Sequence, residues 1–351
     1  MIDLHAGDCR DVLASLPDAS VDAVVTDPPY ELGFMGKKWD GTGIAYDVGM
    51  WAEVLRVLKP GGHLLSFGGT RTWHRMACAV EDAGFEMRDS IAWLYGSGFP
   101  KSLDVGKAID KAAGAEREVV ATRRADRLAV APGEGADRSP VDLDVTAPAT
   151  PDAAKWDGWG TALKPAHEPI VVARKPFPGT VAANVVAHGT GALNIDGCRI
   201  GTDTSRGDRY GGRPAGNSVG QTTFTQGVKS QPWDVPAGRW PANVVLDETC
   251  ADLLDEQSGV LGVAGNKPES LRQRGGTSDN SCQVPTCAGG PSNAYADRGG
   301  ASRFFYCAKA PTKERPRHDG TAHPTVKPLT LMRWLVRLVT PPGGTVLDPF
   351  T

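Results

Sequence analysis

The spacing of apolar positions gives the chain two regular ends and a loop-rich middle. Cys9, Val12, Leu13 and Leu16 recur at i, i+3, i+4 and i+7, which predicts a short amphipathic helix capped by Asp8 and broken near Pro17. Val21-Asp22-Ala23-Val24-Val25-Thr26 is nearly continuously apolar and β-branched, the pattern of a buried parallel strand. Asp47 then caps a helix with Trp51, Val54, Leu55 and Leu58 on one face, which Lys59-Pro60-Gly61-Gly62 is expected to stop. Residues 63–67 read as a second strand, and Gly68-Gly69 opens a helix turning Trp73, Met76, Ala77 and Val80 inward. Residues 90–95 read as a third strand. Strand and helix alternating at this spacing predict a doubly wound α/β sheet.

The pattern changes after Asp104. Residues 104–114 read as helical, whereas 123–155 carry Ala, Pro, Gly, Asp and Arg with no sustained period and read as a flexible insert. Ile170-Val171-Val172-Ala173 is a fourth short strand; His167 and Glu168 before it read as a structural pair, with catalysis as the alternative. Residues 179–302 are loop-rich. After them, Pro328 suits the first turn of a helix with Leu331, Trp334, Leu335 and Leu338 inward. Thr345-Val346-Leu347 then forms a strand that delivers Asp348-Pro349-Phe350 at its tip.

Composition narrows the class of protein. Hydrophobic content of 40% and charged content of 23% are those of a soluble globular chain, and no apolar run reaches membrane-spanning length. The N-terminus does not read as a signal peptide, so a cytoplasmic protein is expected. The 7 cysteines are scattered, which suits reduced thiols. Cys282 and Cys287 have poor zinc-ligand spacing, so no metal is expected. Net charge is −3, so any nucleic-acid contact needs a local basic surface. Residues 199–239 and 267–313 supply one, whereas 241–266 hold five acids and no Lys or Arg. Phosphate contacts by Arg206, Arg209 and Arg213 are the functional reading there, beside an ordinary solvated loop. Lys37 and Lys38, in a glycine-bearing segment, are further DNA-contact candidates, beside a plain surface loop.

The chemistry concentrates at Asp27-Pro28-Pro29-Tyr30, on the tip of the first strand. Two prolines end the strand and fix a rigid corner at the sheet's carboxyl edge, where open α/β sheets bind ligands. A carboxylate, a carbonyl and an aromatic ring on such a corner suit a planar ligand with an exocyclic amino group. A simple strand-ending turn is the alternative.

Asp27-Pro28-Pro29-Tyr30, His323-Pro324-Thr325-Val326-Lys327-Pro328 and Val346-Leu347-Asp348-Pro349-Phe350, in that order, resemble the β-group of DNA amino-methyltransferases. Gly7-Asp8-Cys9 is similar to that family's N-terminal cofactor-side motif. Ser66-Phe67-Gly68-Gly69, residues 93–100 and His167-Glu168-Pro169 are similar to segments of phage and prophage members. The resemblance implies a Rossmann-like methyltransferase fold of circularly permuted motif order with a loop-rich target-recognition region, and S-adenosylmethionine as donor. It implies double-stranded DNA as partner and adenine N6 as acceptor, the base being flipped out of the duplex. A homodimer and a cognate restriction enzyme are further partners it allows.

In that reading Asp27, Pro28, Pro29 and Tyr30 form the catalytic corner. Tyr30 stacks on the base, while Asp27 and the Pro28 carbonyl accept the amino hydrogens. Asp8, Thr325, Lys327, Pro328, Asp348, Pro349 and Phe350 are the implied cofactor contacts. Cytosine-N4 members more often begin the corner with Ser. Enzymes acting on RNA or protein glutamine usually begin it with Asn and reverse the motif order. The implied division is 1–103 catalytic, 104–163 helix and insert, 164–178 a methyltransferase strand, 179–302 target recognition and 303–351 cofactor binding. Family members continue past Asp-Pro-Phe with a glycine turn and a helix. Without them, a fragment or degenerate product is expected, with weak donor binding, an open edge at Val346-Leu347 and, as an alternative function, DNA binding without catalysis.

Overall fold

Val21–Thr26 (β1) is buried along its whole length, because helices cover both faces of the sheet that it joins. The computed structural model describes residues 2–33, 41–96, 98, 102–125, 141–201, 238–259, 300–308, 317–318, 321–322 and 326–350. In chain order the elements are α1 (Cys9–Ser15), β1, α2 (Val48–Val57), β2 (Leu58–Phe67), α3 (Trp73–Asp82), β3 (Glu86–Leu94) and α4 (Val105–Ala112). Then come β4 (Val119–Ala125), β5 (Val141–Thr146), α5 (Pro151–Lys155), β6 (His167–Arg174), α6 (Val181–His188), β7 (Val244–Asp247) and α7 (Glu248–Ser258). The remainder is β8 (Tyr306–Ala308), β9 (Arg317–His318), β10 (Thr321–Ala322), α8 (Leu329–Val339) and β11 (Val346–Leu347).

The 7-stranded sheet has the order β11-β1-β2-β6-β3-β7-β8. β1 pairs in parallel with both β11 and β2, and β3 and β7 continue in that direction. β6 is antiparallel to both its neighbours, β2 and β3, and so enters the sheet from the opposite end. Side chains alternate as the pleat requires. Ala23, Val25, Leu65, Phe67, Ile170 and Val172 pack on one face with Leu331, Trp334, Leu335 and Leu338 of α8. Val24, Leu64, Val171 and Ala173 pack on the other with Trp51, Val54, Met76 and Val80 of α2 and α3. The result is the expected three-layer, Rossmann-like α/β architecture.

Three stretches differ from the sequence-based expectation. Lys59-Pro60-Gly61-Gly62 does not lie between helix and strand; β2 runs through it from Leu58 with a register shift against β1. The bulge holds because the buried Asp22 carboxylate accepts from Lys59 Nζ at 2.6 Å and from the Thr345 backbone N–H at 2.8 Å. A Cβ at Gly62 would lie 2.9 Å from the Asp22 carbonyl oxygen, so only glycine fits. The 123–155 segment, expected to be flexible, contributes the end of β4 and the whole of β5, which pair as an antiparallel ribbon, and helix α5. Asp110 anchors that ribbon from α4, accepting from the Ala149 and Thr150 amides at 3.0 Å each and from Arg117 at 2.6 Å. Within 179–302, the described residues include β7, which is paired into the central sheet.

His63 is buried in β2, and its Nδ1 has no hydrogen-bond partner among the described residues. Burial, then the positive charges of Arg174 and Arg88, lower its pKa from 6.5 to about 4. The unfolded chain therefore takes up this proton near pH 6.5 and the folded chain only near pH 4. Stability from this group is complete above pH 6.5 and falls as pH drops toward 4, by up to about 3 kcal/mol. Urea denaturation across pH 4–7 should show this slope. It should flatten in His63→Leu, and an equal slope in the two proteins would assign the effect to other groups.

Candidate active site

The site grows from the tips of β1 and β11. Thr26, the last residue of β1, donates its hydroxyl to Asp348 Oδ1 at 2.5 Å, which ties the two tips together. The Asp348 carboxylate also accepts from the Phe350 amide at 3.1 Å, closing the turn after β11. Asp27 follows Thr26, and the two prolines then carry the chain clear of the ladder. Asp27 Oδ2 accepts from Lys327 Nζ at 2.7 Å. Asp27 Oδ1 is buried and has no hydrogen-bond partner among the described residues.

Tyr30 is held at three points. Its phenol donates to Glu168 Oε2 at 2.8 Å, and its backbone carbonyl accepts from Thr72 Oγ1 at 2.7 Å. Its ring lies against Gly69, where an added Cβ would come 3.2 Å from Cδ2. At Gly68 an added Cβ would come 2.8 Å from Trp73 Cβ, so the glycine pair lets α3 and Tyr30 close onto the tip of β2. Burial, then the charges of Asp27 and Glu168, push the Tyr30 phenol well above its ordinary value. The ring is therefore a neutral hydrogen-bond donor.

Lys327 precedes α8, and only 9% of its side chain is exposed. Its ammonium lies 2.7 Å from Asp27 Oδ2 and 3.4 Å from Glu168 Oε2. It also lies 5.2 Å from the Tyr30 ring centroid and 5.1 Å from that of Phe67. The aromatic wall continues with Trp93, edge-on to Phe67 at 6.5 Å, and Tyr95, tilted on Trp93 at 5.3 Å. Burial, then Glu168, pushes the Tyr95 phenol up to about 12.

The structure thus brings together Asp27, Tyr30 and Lys327, with Pro28 buried behind them and Pro29 part-buried. Lys327 is expected among the cofactor contacts, yet its ammonium sits on Asp27. Pro328 caps α8 and is buried. Phe350 lies on the opposite face of the sheet from Tyr30, edge-on to Trp51 at 6.2 Å, and Pro349 is part-buried in the turn before it. Asp8 caps α1, where the Arg10 guanidinium, then its amide, hold the Asp8 carboxyl at about 2. Thr325, Lys37, Lys38, Arg206, Arg209 and Arg213 lie outside the described residues.

Two further residues gain a place from the structure, Glu168 by the alternative that the sequence left open and Glu31 with no sequence signal. Glu168 belongs to the site, because β6 enters antiparallel between β2 and β3 and sets its side chain beside Tyr30 and Lys327. Glu31 adopts the left-handed region at φ 55°, and its carboxylate accepts from the Gly43 amide at 2.8 Å. The positive φ has no sequence signal at a glutamate.

Residues 21–351 match the family model N6_N4_Mtase, described as DNA methylase, and the chain belongs to that family. The type II methyltransferase M.HindIII of Haemophilus influenzae is 29% identical over 145 residues, covering 40% of this chain and 36% of the relative. YubD of Escherichia coli is 38% identical over 87 residues, covering 23% of this chain and 37% of the relative. The chain therefore spans little more than a third of the length of these curated relatives. Among solved structures, TTHA0409 of Thermus thermophilus in complex with S-adenosyl-L-methionine is 23% identical, covering 51% of this chain and 56% of that one, with a TM-score of 0.28. The M1.HpyAVI–SAM complex is 17% identical, covering 50% and 56%, with a TM-score of 0.25.

Lys327→Met removes the ammonium that Asp27 and Glu168 share and leaves them without a counter-charge among the described residues. Removing one partner of a buried pair costs about 3 kcal/mol at the low end, the end suited to carboxylates that keep some exposure. Urea denaturation should show that loss, and adding Asp27→Asn should recover part of it. Wild-type stability in Lys327→Met would show that the pair contributes nothing net.

Proposed function

We propose that this chain carries the active site of a DNA amino-methyltransferase that transfers a methyl group from S-adenosylmethionine to adenine N6 in duplex DNA. The observation that carries this reading is the buried Asp27 Oδ1, without a partner among the described residues, on a proline-locked corner beside a neutral aromatic ring. A carboxylate oxygen removed from water needs a donor, and an exocyclic amino group supplies one. Asp27 Oδ1 and the Pro28 carbonyl accept the two amino hydrogens. That draws the nitrogen lone pair out of conjugation with the ring and frees it for attack. Tyr30 stacks on the base and holds it out of the duplex. The chemistry asked of this chain is mainly placement, which suits direct in-line transfer with no cysteine nucleophile.

The residues at the strand tips fit the donor. Asp27 and Glu168 share one ammonium, and Asp348 adds a third carboxylate on the neighbouring tip, so the edge carries negative charge suited to a ligand with sulfonium and ammonium groups. Asp348, Pro349, Phe350 and Asp8 would hold the donor on the β11 side. When bound, S-adenosylmethionine supplies an electrophilic methyl group. The Asp at the head of the corner, as the family resemblance has it, favours adenine over cytosine. Residues 179–302 are the proposed target-recognition region, with the DNA contacts at Arg206, Arg209 and Arg213 and at Lys37 and Lys38.

Incubation of this chain, or of a longer version of it, with plasmid DNA and isotopically labelled donor, followed by nucleoside mass spectrometry, should yield N6-methyladenine. Asp27→Ala should nearly abolish transfer and Tyr30→Ala should weaken it, with donor affinity nearly unchanged in both. N4-methylcytosine as the product would reassign the base, and full turnover by Asp27→Ala would refute the corner as the acceptor site.

A further inference from the structure

We propose that Glu168 is a positioning residue of this site, which fixes the stacking ring of Tyr30 and the ammonium of Lys327 and through them the acceptor geometry of Asp27. The proposal rests on the amino-methyltransferase reading above and assigns a role to a side chain that is not needed to touch the base. One oxygen, Glu168 Oε2, meets both groups, at 2.8 Å from the Tyr30 hydroxyl and 3.4 Å from Lys327 Nζ. Those two in turn are the groups that contact or flank Asp27. The hydrogen bond of the hydroxyl fixes the direction in which the phenol side chain points, while packing of the ring on Gly69 sets its plane. Lys327 would sit wholly on Asp27 if no second carboxylate shared it. Glu168 therefore sets both the direction of the Tyr30 side chain and the share of the ammonium that Asp27 receives.

The placement is itself fixed by the fold. Glu168 pairs with Trp93 across the β6–β3 ladder, and the Pro169 carbonyl beside it accepts from the Gly68 amide at 2.9 Å. Backbone on both sides thus locks the Cα of Glu168 at the carboxyl edge of β2 and β3. Preorganisation of this kind matters most for a reaction whose barrier is lowered by alignment.

The test compares wild type, Glu168→Gln and Glu168→Ala in the full chain. Methyl-transfer kinetics and thermal melting are followed together with ¹⁹F NMR of 3-fluorotyrosine-labelled protein, the Tyr30 line being assigned by its loss in Tyr30→Phe. Glu168→Ala should lower kcat about tenfold to a hundredfold, while KM for donor and DNA stays within about twofold. Glu168→Gln keeps an acceptor for the phenol but lacks the charge for Lys327, and should fall between. The Tyr30 fluorine line should broaden or split in Glu168→Ala as the ring loses its anchor, and sharpen again in Glu168→Gln. An unchanged Tyr30 line in a folded Glu168→Ala protein overturns the proposal, as does wild-type kcat in that variant. If wild type methylates no DNA, the functional reading fails by itself, and the fluorine line still decides whether Glu168 holds the ring.

Discussion

One ammonium joins segments separated by 300 positions in the sequence. Lys327, from the start of α8, reaches Asp27 at the tip of β1 and Glu168 at the mouth of β6, and it lies over two aromatic rings. A lysine so deeply covered is tolerable only where its charge is matched, and here two carboxylates match it. The arrangement sets a constraint on everything near it. The ring of Tyr30, the rotation of Asp27 and the entry angle of α8 must all agree, since a shift in any one would strip a buried charge of its partner.

The sheet meets that constraint by mixing directions. Parallel strands gather Asp27 and Asp348 at one edge, while the antiparallel β6 brings the beginning of a strand to the same edge. Glu168 can therefore face the ends of other strands from the start of its own. Asp22 performs the matching task at the other end of β1, where its buried carboxylate spans a lysine on β2 and the amide that begins β11. Both ends of β1 are thus tied to their neighbours by carboxylates.

What was legible in the sequence follows the range of the forces involved. β1 and its corner were readable because a doubly buried strand is continuously apolar and two prolines end it abruptly. The inward face of α8 was readable from helical spacing alone, and Leu331, Trp334, Leu335 and Leu338 are all buried. Glu168 was legible only as part of a structural pair with catalysis as the alternative, because its place beside Tyr30 depends on which strands flank β6, a matter of pairing between distant segments. The β4–β5 ribbon left a faint signal, with Val141, Leu143 and Val145 alternating with Asp142 and Asp144, but the Ala, Pro and Gly around it hid the period. β7 is only four residues long, too short to separate from its loops.

The placement of β1 between β2 and β11 also bears on how the protein is made. β2 follows β1 closely in the chain, whereas β11 follows some 320 residues later, as the Ala23–Val346 pairing shows. During synthesis one edge of a strongly apolar β-branched strand must wait for its partner until nearly the whole of the described chain has left the ribosome. The waiting edge is a template for pairing with another chain, so the interval is one of exposure to aggregation and to chaperones. The same delay keeps Lys327 away from Asp27, and the charged corner is completed only when the sheet is.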